Sequence, residues 1–473
     1  MPRIITRNAD APQGGYDPAL RLPDFEGARA GFAAGTDTPR ALLERGLSVI
    51  AAREGDVRAF AHLDIEGARV AADAATARHA AGRALSALDG CPIAIKDTLA
   101  VRGMAGEMNS AIFRGHVDDL DAACVVALRA AGAVILGKTQ VPELTIGRAP
   151  PTRNPHDATR TAGASSSGSG ASVGAGMVPV AIGNQTGGSL IRPSSFNGIY
   201  GFKPSWGALN VAGMHAVAPS QDHIGPMAAS LADAWRVAWE VSARAGGHNG
   251  HPGLTGTAEP PRALRPLRLA WLRTRGWAEL DAATEEAFHL ARTALEAAGM
   301  SFVEASQDGA LAEAERLLLE ADRISNDIIM YEARWPYGAW LATHGEAKMG
   351  EAVRARIAHG LAMTPADYRR ALAERDAIRR AIAAIGARVD GFVTLASSGP
   401  AAVDGAAGDQ AGAHLKTGSR SFLSPWSMIG GPSLSLPIMA VDGMPLGLQL
   451  MGLPETDAGL FALAAWVDGV FAE

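Results

Sequence analysis

The chain has 473 residues, of which 48% are hydrophobic and 19% charged, and its formal net charge is −6. This length allows a large buried core and leaves open whether the chain forms several domains or one large α/β unit. The mildly acidic balance argues against polyphosphate partners, so we expect no direct contact with nucleic acid.

The two cysteines, Cys91 and Cys124, each lie beside a strongly apolar segment. This setting favours buried, reduced thiols over a disulfide and therefore a reducing compartment. The first twenty residues lack the apolar stretch of a signal peptide, and no later apolar run reaches a membrane-spanning length without a break. We expect a cytoplasmic protein with no membrane partner.

Two helices are predicted before the first segment that carries chemistry. Apolar residues at helical spacing, with abundant alanine, predict helices over 38–53 and 65–88. Thr38 followed by Pro39 is typical of a helix N-cap with proline in the first turn.

A strand, helix, strand order follows. The apolar run CPIAIKD at 91–97 predicts a strand, a helix is expected over about 120–131, and AVILG at 133–137 predicts a second strand. This order is typical of a mostly parallel sheet with helices on its faces.

The stretch Gly163–Gly188 consists almost wholly of Gly, Ser, Ala, Thr and small aliphatic residues. It contains the apolar run VGAGMVPVAIG, which a solvated flexible linker would not carry. We therefore predict a tightly packed helix and strand in the core.

The middle of the chain, about 229–385, is predicted to be mainly helical and to cover the sheet, with one strand at 268–272. Its clearest helices are expected at 282–299, 307–334, 345–361 and 364–385. The Gly/Ala-rich stretch at 401–418 is predicted to be a mobile loop. Strands are expected again at 433–441 and 445–452, before a final helix.

The segment GAVILGKT, Gly132–Thr139, fits the phosphate-loop pattern G-x-x-x-x-G-K-[ST]. A phosphate loop needs its four middle residues in a tight turn, whereas Ala-Val-Ile-Leu is typical of a buried strand, and Pro142 follows soon after Lys138. We interpret the match as a strand and not as a nucleotide site.

Other hydrolase patterns are absent from the sequence. Neither Ser165 nor Ser189 lies in a G-x-S-x-G elbow, and no H-E-x-x-H segment supplies zinc ligands. His156, His215 and His223 have no spacing that indicates a metal site or a triad, so we interpret them as structural. No metal and no cofactor is expected.

Three segments remain: the lysine of CPIAIKD, GASSSGSGAS at 163–172 and QTGGSLIRP at 185–193. Together they resemble the amidase signature family, in which a K-D pair follows an apolar strand and two serine motifs are 24 positions apart. Here Lys96-Asp97 follows such a strand, and Ser165 and Ser189 have that separation.

The resemblance extends beyond the three segments. It includes GAVILGKTQVPE, TRNPHDATR, FNGIYGFKPSWG, PSQDHIGPM, PSLSLPI and PLGLQLMG, and so covers about 90–230 and the last sixth of the chain. It implies an α/β fold with a mixed, twisted central sheet covered by helices on both faces. On this basis we expect one domain over 1–473, with a catalytic core at about 90–230 and 389–473 and a helical cover at about 229–385.

The resemblance also implies roles for single residues. Ser189 would be the acyl-forming nucleophile, Ser165 would hold a cis peptide bond and relay the proton, and Lys96 would be the base. The backbone N–H groups of Thr186, Gly187, Gly188 and Ser189 are assigned to the oxyanion hole, because glycines allow consecutive N–H groups to turn towards one point.

A lysine can act as the base only if it is neutral. An ordinary lysine has a pKa of about 10.4, which burial must lower to near 7 for the neutral form to be abundant. The apolar strand before Lys96 and the scarcity of charge in Gly163–Gly188 would supply such a setting.

Four positions depart from the usual family pattern. Ala164 and Ser167 stand where glycines are usual and Gln185 where aspartate is common, which puts loop geometry in question. Arg192, in S-L-I-R-P, resembles malonamidase-type members, where the arginine helps to bind a substrate carboxylate. The alternative is that Arg192 ties a loop to backbone carbonyls, and both interpretations stay open.

The resemblance therefore implies a cofactor-free amidohydrolase that cleaves a small-molecule amide, ester or carbamate (urethane) through a serine acyl-enzyme. Two alternatives are kept: the amidase-like subunit of a tRNA-dependent amidotransferase, and a non-catalytic scaffold. Gln185 and the S-L-I-R-P variant weigh against the amidotransferase reading. A homodimer is left open.

Overall fold

The computed structural model describes residues 3–11, 13–19, 22–403 and 418–472. These residues form a 12-stranded mixed sheet and a separate 2-stranded one, with helices flanking the large sheet. The predicted mixed α/β fold is confirmed. The predicted mobile loop at 401–418 falls largely on residues outside the described ranges.

The strands of the described ranges, in chain order, are β1 (Ile4–Thr6), β2 (Phe60–Leu63), β3 (Pro92–Lys96), β4 (Val134–Thr139), β5 (Arg153–Asn154), β6 (Asp157–Thr161), β7 (Val180–Gln185), β8 (Tyr200–Lys203), β9 (His223–Ala228), β10 (Arg268–Trp271), β11 (Ser301–Val303), β12 (Gly391–Leu395), β13 (Ser433–Val441) and β14 (Met444–Met451).

The α-helices of the same ranges are α1 (Phe25–Ala34), α2 (Pro39–Val57), α3 (Ile65–Ala80), α4 (Ala123–Ala130), α5 (Ser167–Gly174), α6 (Ile191–Asn197), α7 (Leu231–Ala245), α8 (Ala282–Ala297), α9 (Gly309–Leu318), α10 (Ala321–His344), α11 (Glu351–Ala362), α12 (Pro365–Gly386), α13 (Ser424–Ile429) and α14 (Asp457–Val470).

The large sheet has the order β11-β10-β12-β14-β13-β8-β9-β7-β3-β4-β2, and β1 pairs with β13. Its flanks are parallel, through β11-β10-β12 on one side and β7-β3-β4 on the other. Its centre, from β12 to β7, is antiparallel. The expectation of a mostly parallel sheet is therefore right for β3 and β4 and wrong for the centre.

A tight turn explains part of this difference. Asp442 and Gly443, between β13 and β14, have φ values of 55° and 67°. Two consecutive positive φ values are typical of the turn that joins antiparallel strands directly. The last two predicted strands therefore form a hairpin.

The first two predicted helices are found, but the second is shorter than expected. The Thr38 side chain accepts a hydrogen bond from the Ala41 N–H, and Pro39 begins α2, as predicted. Helix α3 ends at Ala80 instead of 88, because Gly82 takes a φ of 63° and the Arg83 N–H returns to the Arg78 carbonyl. This pattern closes a helix C-terminus.

Helix boundaries in the middle of the chain also differ from the prediction. The single helix expected at 307–334 is two helices, α9 and α10, and α10 continues to His344. Gly345, with a φ of 77°, ends α10, and a short 3-10 helix follows at Glu346–Lys348, so the next α-helix begins at Glu351 and not at 345. Strands β10 and β11 of this stretch join the large sheet.

Helix α5 and strand β7 confirm the packed helix and strand predicted for Gly163–Gly188, and every residue of both is buried. Cys91 and Cys124 are buried and unpaired, as expected. Within the described ranges, no helix combines the length and the apolar character needed to span a membrane.

Candidate active site

Two neighbouring parallel strands bring Lys96 and Asn184 to one edge of the sheet. β3 pairs with β7 so that Ile95 lies opposite Ile182. Lys96 is the last residue of β3, and Asn184 is the last but one of β7. Because the carboxyl ends of parallel strands share an edge, the two side chains meet just beyond it.

Ser165 reaches this edge because α5 packs very closely against the strands. A Cβ on Gly168 would lie 2.2 Å from the Ala59 carbonyl oxygen, and one on Gly183 would lie 2.9 Å from Ser166 Oγ. Larger residues would push the helix away from the sheet. The peptide bond between Ala164 and Ser165 is cis.

Lys96 is enclosed by polar groups that carry no charge. Its side chain is 0% exposed, and its Nζ lies 2.5 Å from Ser165 Oγ. The same Nζ also hydrogen-bonds to the Asn184 side-chain oxygen and lies 3.4 Å from the Asn184 carbonyl oxygen. Its described hydrogen-bond acceptors therefore include no carboxylate.

This environment changes the protonation of Lys96. Burial lowers the pKa of the Lys96 amine well below its ordinary value, and the more distant carboxylate of Asp222 opposes the shift. Desolvation disfavours the charged form of an amine, so the neutral form is populated under conditions in which a free lysine is protonated.

Ser189 lies beside Ser165 and is accessible from outside. The Ser166 N–H donates to the Ser189 carbonyl oxygen over 3.1 Å, which joins the two segments through their backbones. Ser165 and Ser189 line one pocket, together with Asn184, Thr186 and Gly187. Ser189 is partly exposed, whereas Lys96 is buried behind Ser165. The structure thus brings the three predicted residues together.

The backbone before Ser189 is held by hydrogen bonds to its carbonyl groups. The Gly187 carbonyl accepts from Ser427 Oγ over 3.1 Å, and the Gly188 carbonyl accepts from the Arg192 N–H over 3.2 Å. In a trans peptide the N–H points opposite to the carbonyl. The N–H groups of Gly188 and Ser189 therefore point away from these two partners.

Gln185 has a clear local function. Its side-chain oxygen accepts from the N–H groups of Leu190 and Ile191, both over 3.0 Å, and its amide donates to Ser427 Oγ over 2.9 Å. It thus holds the start of α6, where the first N–H groups of a helix need an acceptor. The departure from the common aspartate leaves this loop ordered.

Arg192 is fixed by backbone carbonyls. Its Nη2 donates to the Ala164 carbonyl over 2.7 Å, and its Nη1 donates to the carbonyls of Gly418 and Ser419. Its buried Nε has no hydrogen-bond partner among the described residues. Of the two interpretations of Arg192, these contacts match the one in which it ties a loop.

Two further arginines line the same pocket and were missed by the sequence analysis. Arg356 comes from α11, and Arg420 comes from the segment just before α13. Arg356 lies in a helix that also carries Glu351 and Arg354, so its sequence position gives no indication of a site. Arg420 follows the Gly/Ala-rich stretch, and its position relative to Ser189 depends on the fold.

Asp222, inside PSQDHIGPM, was also missed as a site residue. It accepts from Thr186 Oγ1 over 2.5 Å and from the N–H groups of Val217 and Ala218. Burial raises the pKa of Asp222 to about 6. Its contacts hold Thr186, and with it the chain that leads to Ser189.

The three histidines bond to groups other than the serine–lysine residues. His156 Nε2 lies 3.0 Å from the Asn197 carbonyl, His215 Nε2 lies 2.9 Å from the Tyr337 hydroxyl, and His223 Nδ1 lies 2.7 Å from the Gln221 carbonyl. Burial lowers the pKa of His156 and of His215 to about 4. These contacts agree with structural roles.

The phosphate-loop match is a strand, as predicted. Residues Val134–Thr139 form β4, and every one of them is buried. Lys138 Nζ lies 3.0 Å from Asp97 Oδ1 and 2.7 Å from Asp118 Oδ2. Its charge is therefore already paired with two carboxylates.

Comparison with known proteins identifies the family of the chain. The family model described as Amidase matches residues 41–461. The chain belongs to this family, the amidase signature family, whose members act on amide C–N bonds.

Individual relatives are of two kinds. A glutamyl-tRNA(Gln) amidotransferase subunit of Anaeromyxobacter dehalogenans (strain 2CP-C) is 33% identical over 468 residues, covering 92% of this chain and 94% of the relative. A solved amidase structure has a TM-score of 0.83 and 29% identity, covering 94% of this chain and 99% of that one. The native peptide amidase of Stenotrophomonas maltophilia has a TM-score of 0.74 and 26% identity, covering 94% of this chain and 96% of the peptide amidase.

Proposed function

We propose that the protein is an amidohydrolase that works through an acyl-enzyme on Ser189, with Ser165 and Lys96 as the proton relay. The observation that supports this most strongly is the position of Lys96, which is fully buried, bonded to Ser165 and surrounded by neutral acceptors. Such a lysine is deprotonated readily and can accept a proton from a hydroxyl.

In the first half-reaction, neutral Lys96 takes the proton of Ser165, which in turn takes the proton of Ser189. Ser189 Oγ forms a bond to the carbonyl carbon of the amide, and the carbonyl oxygen becomes an oxyanion. The N–H groups from Thr186 to Ser189 would stabilise this oxyanion. The relay then returns the proton to the amine as the C–N bond breaks.

In the second half-reaction, water replaces the amine. The relay takes a proton from the water, whose oxygen attacks the ester carbon of the acylated Ser189. When the ester bond breaks, the proton returns to Ser189 Oγ and the carboxylic acid leaves. Apart from the amide and water, the proposed steps use Lys96, Ser165, Ser189 and backbone N–H groups.

A second candidate is the amidase-like subunit of a tRNA-dependent amidotransferase. Sequence similarity favours it over a stand-alone hydrolase, because glutamyl-tRNA(Gln) amidotransferase subunits are 33% identical over 92% of this chain. The peptide amidase structure supports the stand-alone function, at 26% identity. Glutaminase activity of the purified chain, and its dependence on a partner protein, would distinguish the two.

The proposed reaction does not by itself select the leaving group. A serine acyl-enzyme can form from aryl amides, from monoamides of dicarboxylic acids, from esters and from carbamates. We propose a small-molecule substrate. We also propose a cytoplasmic location, because the two cysteines are buried and unpaired, as is usual in a reducing compartment.

The test is a panel of amides, esters and carbamates assayed on the wild type and on Ser189→Ala, Ser165→Ala and Lys96→Ala. We expect each substitution to lower kcat by roughly 10³-fold or more on the best substrate. Hydrolysis of that substrate by Ser189→Ala at the wild-type rate would show that Ser189 is not the nucleophile.

A further inference from the structure

The pocket in front of Ser189 is lined by three guanidinium groups, those of Arg192, Arg356 and Arg420. Among the described residues that line it, none is an aspartate or a glutamate. Arginine has no neutral form near pH 7 in ordinary settings, so the lining is cationic.

Arg420 is the arginine that lies against the chain leading to the nucleophile. A Cβ on Gly187 would lie 2.9 Å from Arg420 Nη1 and 3.2 Å from its Cδ. Gly187 is two residues before Ser189. The guanidinium of Arg420 is therefore close enough to Ser189 for one small substrate to contact both residues.

The contacts of Arg420 differ from those of Arg192. Arg192 uses both terminal nitrogens on backbone carbonyls, whereas Arg420 Nη2 donates to the neutral Asn326 side-chain oxygen over 3.5 Å. A contact of 3.5 Å is at the limit of a hydrogen bond. Arg420 therefore has donor capacity that a ligand in the pocket can use.

Burial and neighbouring guanidinium groups of the pocket lower the pKa of Arg192 and of Arg356. Burial lowers the pKa of Arg192 to about 9, and the charges of Arg420 and Arg356 add to the shift. Burial, followed by the charge of Arg420, lowers the pKa of Arg356 to about 10. Asp322 opposes the shifts of Arg192 and Arg420. Asp322 is thus the described carboxylate that acts on both Arg192 and Arg420, and a carboxylate bound in the pocket would stabilise the same two charges.

We propose that Arg420 selects an amide that carries a carboxylate and no ammonium group, such as the monoamide of a dicarboxylic acid. The proposal rests on the amidohydrolase function proposed above and specifies its substrate class. A guanidinium binds a carboxylate through two parallel hydrogen bonds. The same three arginines repel an ammonium group, so an amide of the amino-acid type is a poor substrate.

The experiment compares three amides of similar length: succinamic acid, which has a carboxylate, butyramide, which is neutral, and β-alaninamide, which has an ammonium group. For the wild type we expect kcat/KM to fall in that order. In Arg420→Gln, the ratio of kcat/KM for succinamic acid to that for butyramide should fall by about 30- to 100-fold. Arg420→Lys, which keeps the charge, should restore part of the ratio.

The matched control is Arg354→Gln. Arg354 is on α11, two residues before Arg356, and its side chain is bonded to Glu346 and not part of the pocket lining. It should leave the ratio unchanged. Equal losses on succinamic acid and butyramide in Arg420→Gln would overturn the proposal, because a merely structural arginine affects both substrates alike.

A measurement on the wild type serves if a variant fails to fold. Succinate should inhibit butyramide hydrolysis competitively and more strongly than butyrate does, and equal inhibition would overturn the proposal.

Failure of the substrate-class proposal can be distinguished from failure of the amidohydrolase proposal. If Ser189→Ala abolishes butyramide hydrolysis while Arg420→Gln keeps the wild-type ratio, only the substrate class is wrong. If Ser189→Ala hydrolyses butyramide at the wild-type rate, both the amidohydrolase mechanism and the proposed substrate class are wrong.

Discussion

Lys96 and Lys138 lie near the ends of two neighbouring parallel strands, β3 and β4, and both are buried, with 0% and 1% exposure. Their partners differ completely. Lys138 is held between the carboxylates of Asp97 and Asp118, whereas Lys96 meets the hydroxyl of Ser165 and the amide of Asn184.

This difference separates a structural lysine from a reactive one. Two carboxylates compensate the buried charge of Lys138, so its removal would leave unpaired anions in the core. Without such compensation, burial lowers the pKa of Lys96 and favours its neutral amine, the form that the proposed mechanism needs. Burial alone therefore does not identify a catalytic lysine, and Lys96 differs in that its neutral partner is Ser165, which lines the same pocket as Ser189.

The largest effect is expected for Lys96→Met. Hydrolysis of the best substrate should lose roughly 10⁴-fold in kcat/KM, because the relay has no base. The free energy of unfolding should fall by less than about 1 kcal/mol, since no charged partner is left behind. Steady-state kinetics measure the loss of kcat/KM, and urea unfolding measures the change in the free energy of unfolding. A large loss of stability would mean that Lys96 has the same kind of role as Lys138.

Lys138→Met should show the opposite behaviour. We expect the free energy of unfolding to fall by about 3–5 kcal/mol, because Asp97 and Asp118 lose their counter-charge inside the core. The matched control is Lys348→Met, at an exposed lysine, which should leave the urea midpoint unchanged. An unchanged midpoint for Lys138→Met would remove the contrast between the two lysines.

Asn184→Ala should have a smaller effect on catalysis. The Asn184 side-chain oxygen orients the Lys96 amine, so its loss should lower kcat/KM by about 10- to 100-fold while the protein stays folded. The control is Asn210→Ala, whose side chain donates to the Ala245 carbonyl and is not part of the pocket lining. Equal activities of the two variants would show that Lys96 needs no such support.

The smallest effect is expected for an ion pair at the surface. Glu313 and Arg316 of α9 are paired over 2.6 Å, with side chains 53% and 66% exposed. Water and salt screen such pairs, so Glu313→Gln should leave the urea midpoint unchanged within error. A clear shift would show that exposed ion pairs also stabilise this protein, and burial of the Lys138 pairs would then not explain a larger effect of Lys138→Met.

The residues of the site could be predicted from the sequence through the resemblance of three segments to the amidase signature family, and local composition predicted only the packed elements around them. Lys96 follows an apolar run, and Ser165 and Ser189 bound an element of small residues that has to pack closely. The strands and helices around them also follow from local patterns. Their close contact in the structure agrees with the family resemblance.

The remaining features depend on contacts between distant parts of the chain. Arg356 and Arg420 reach the pocket from α11 and from the segment before α13, 164 and 228 residues after Arg192. The antiparallel centre of the sheet depends on which strands become neighbours, and helix ends depend on single glycines such as Gly345. Composition and periodicity carry no information on these pairings.

The central claim, that neutral Lys96 activates Ser189 through Ser165, is tested most directly by the rate at which a neutral fluorophosphonate labels Ser189, measured against pH. The neutral amine is the working form, so the wild-type rate should fall as the pH drops through the pKa of Lys96. Because burial lowers that pKa, the rate should persist at pH values where a free lysine is charged. In Lys96→Met the rate should be at least ~10³-fold lower and should lack this dependence. Labelling of Lys96→Met at the wild-type rate, with the wild-type pH profile, would contradict the claim.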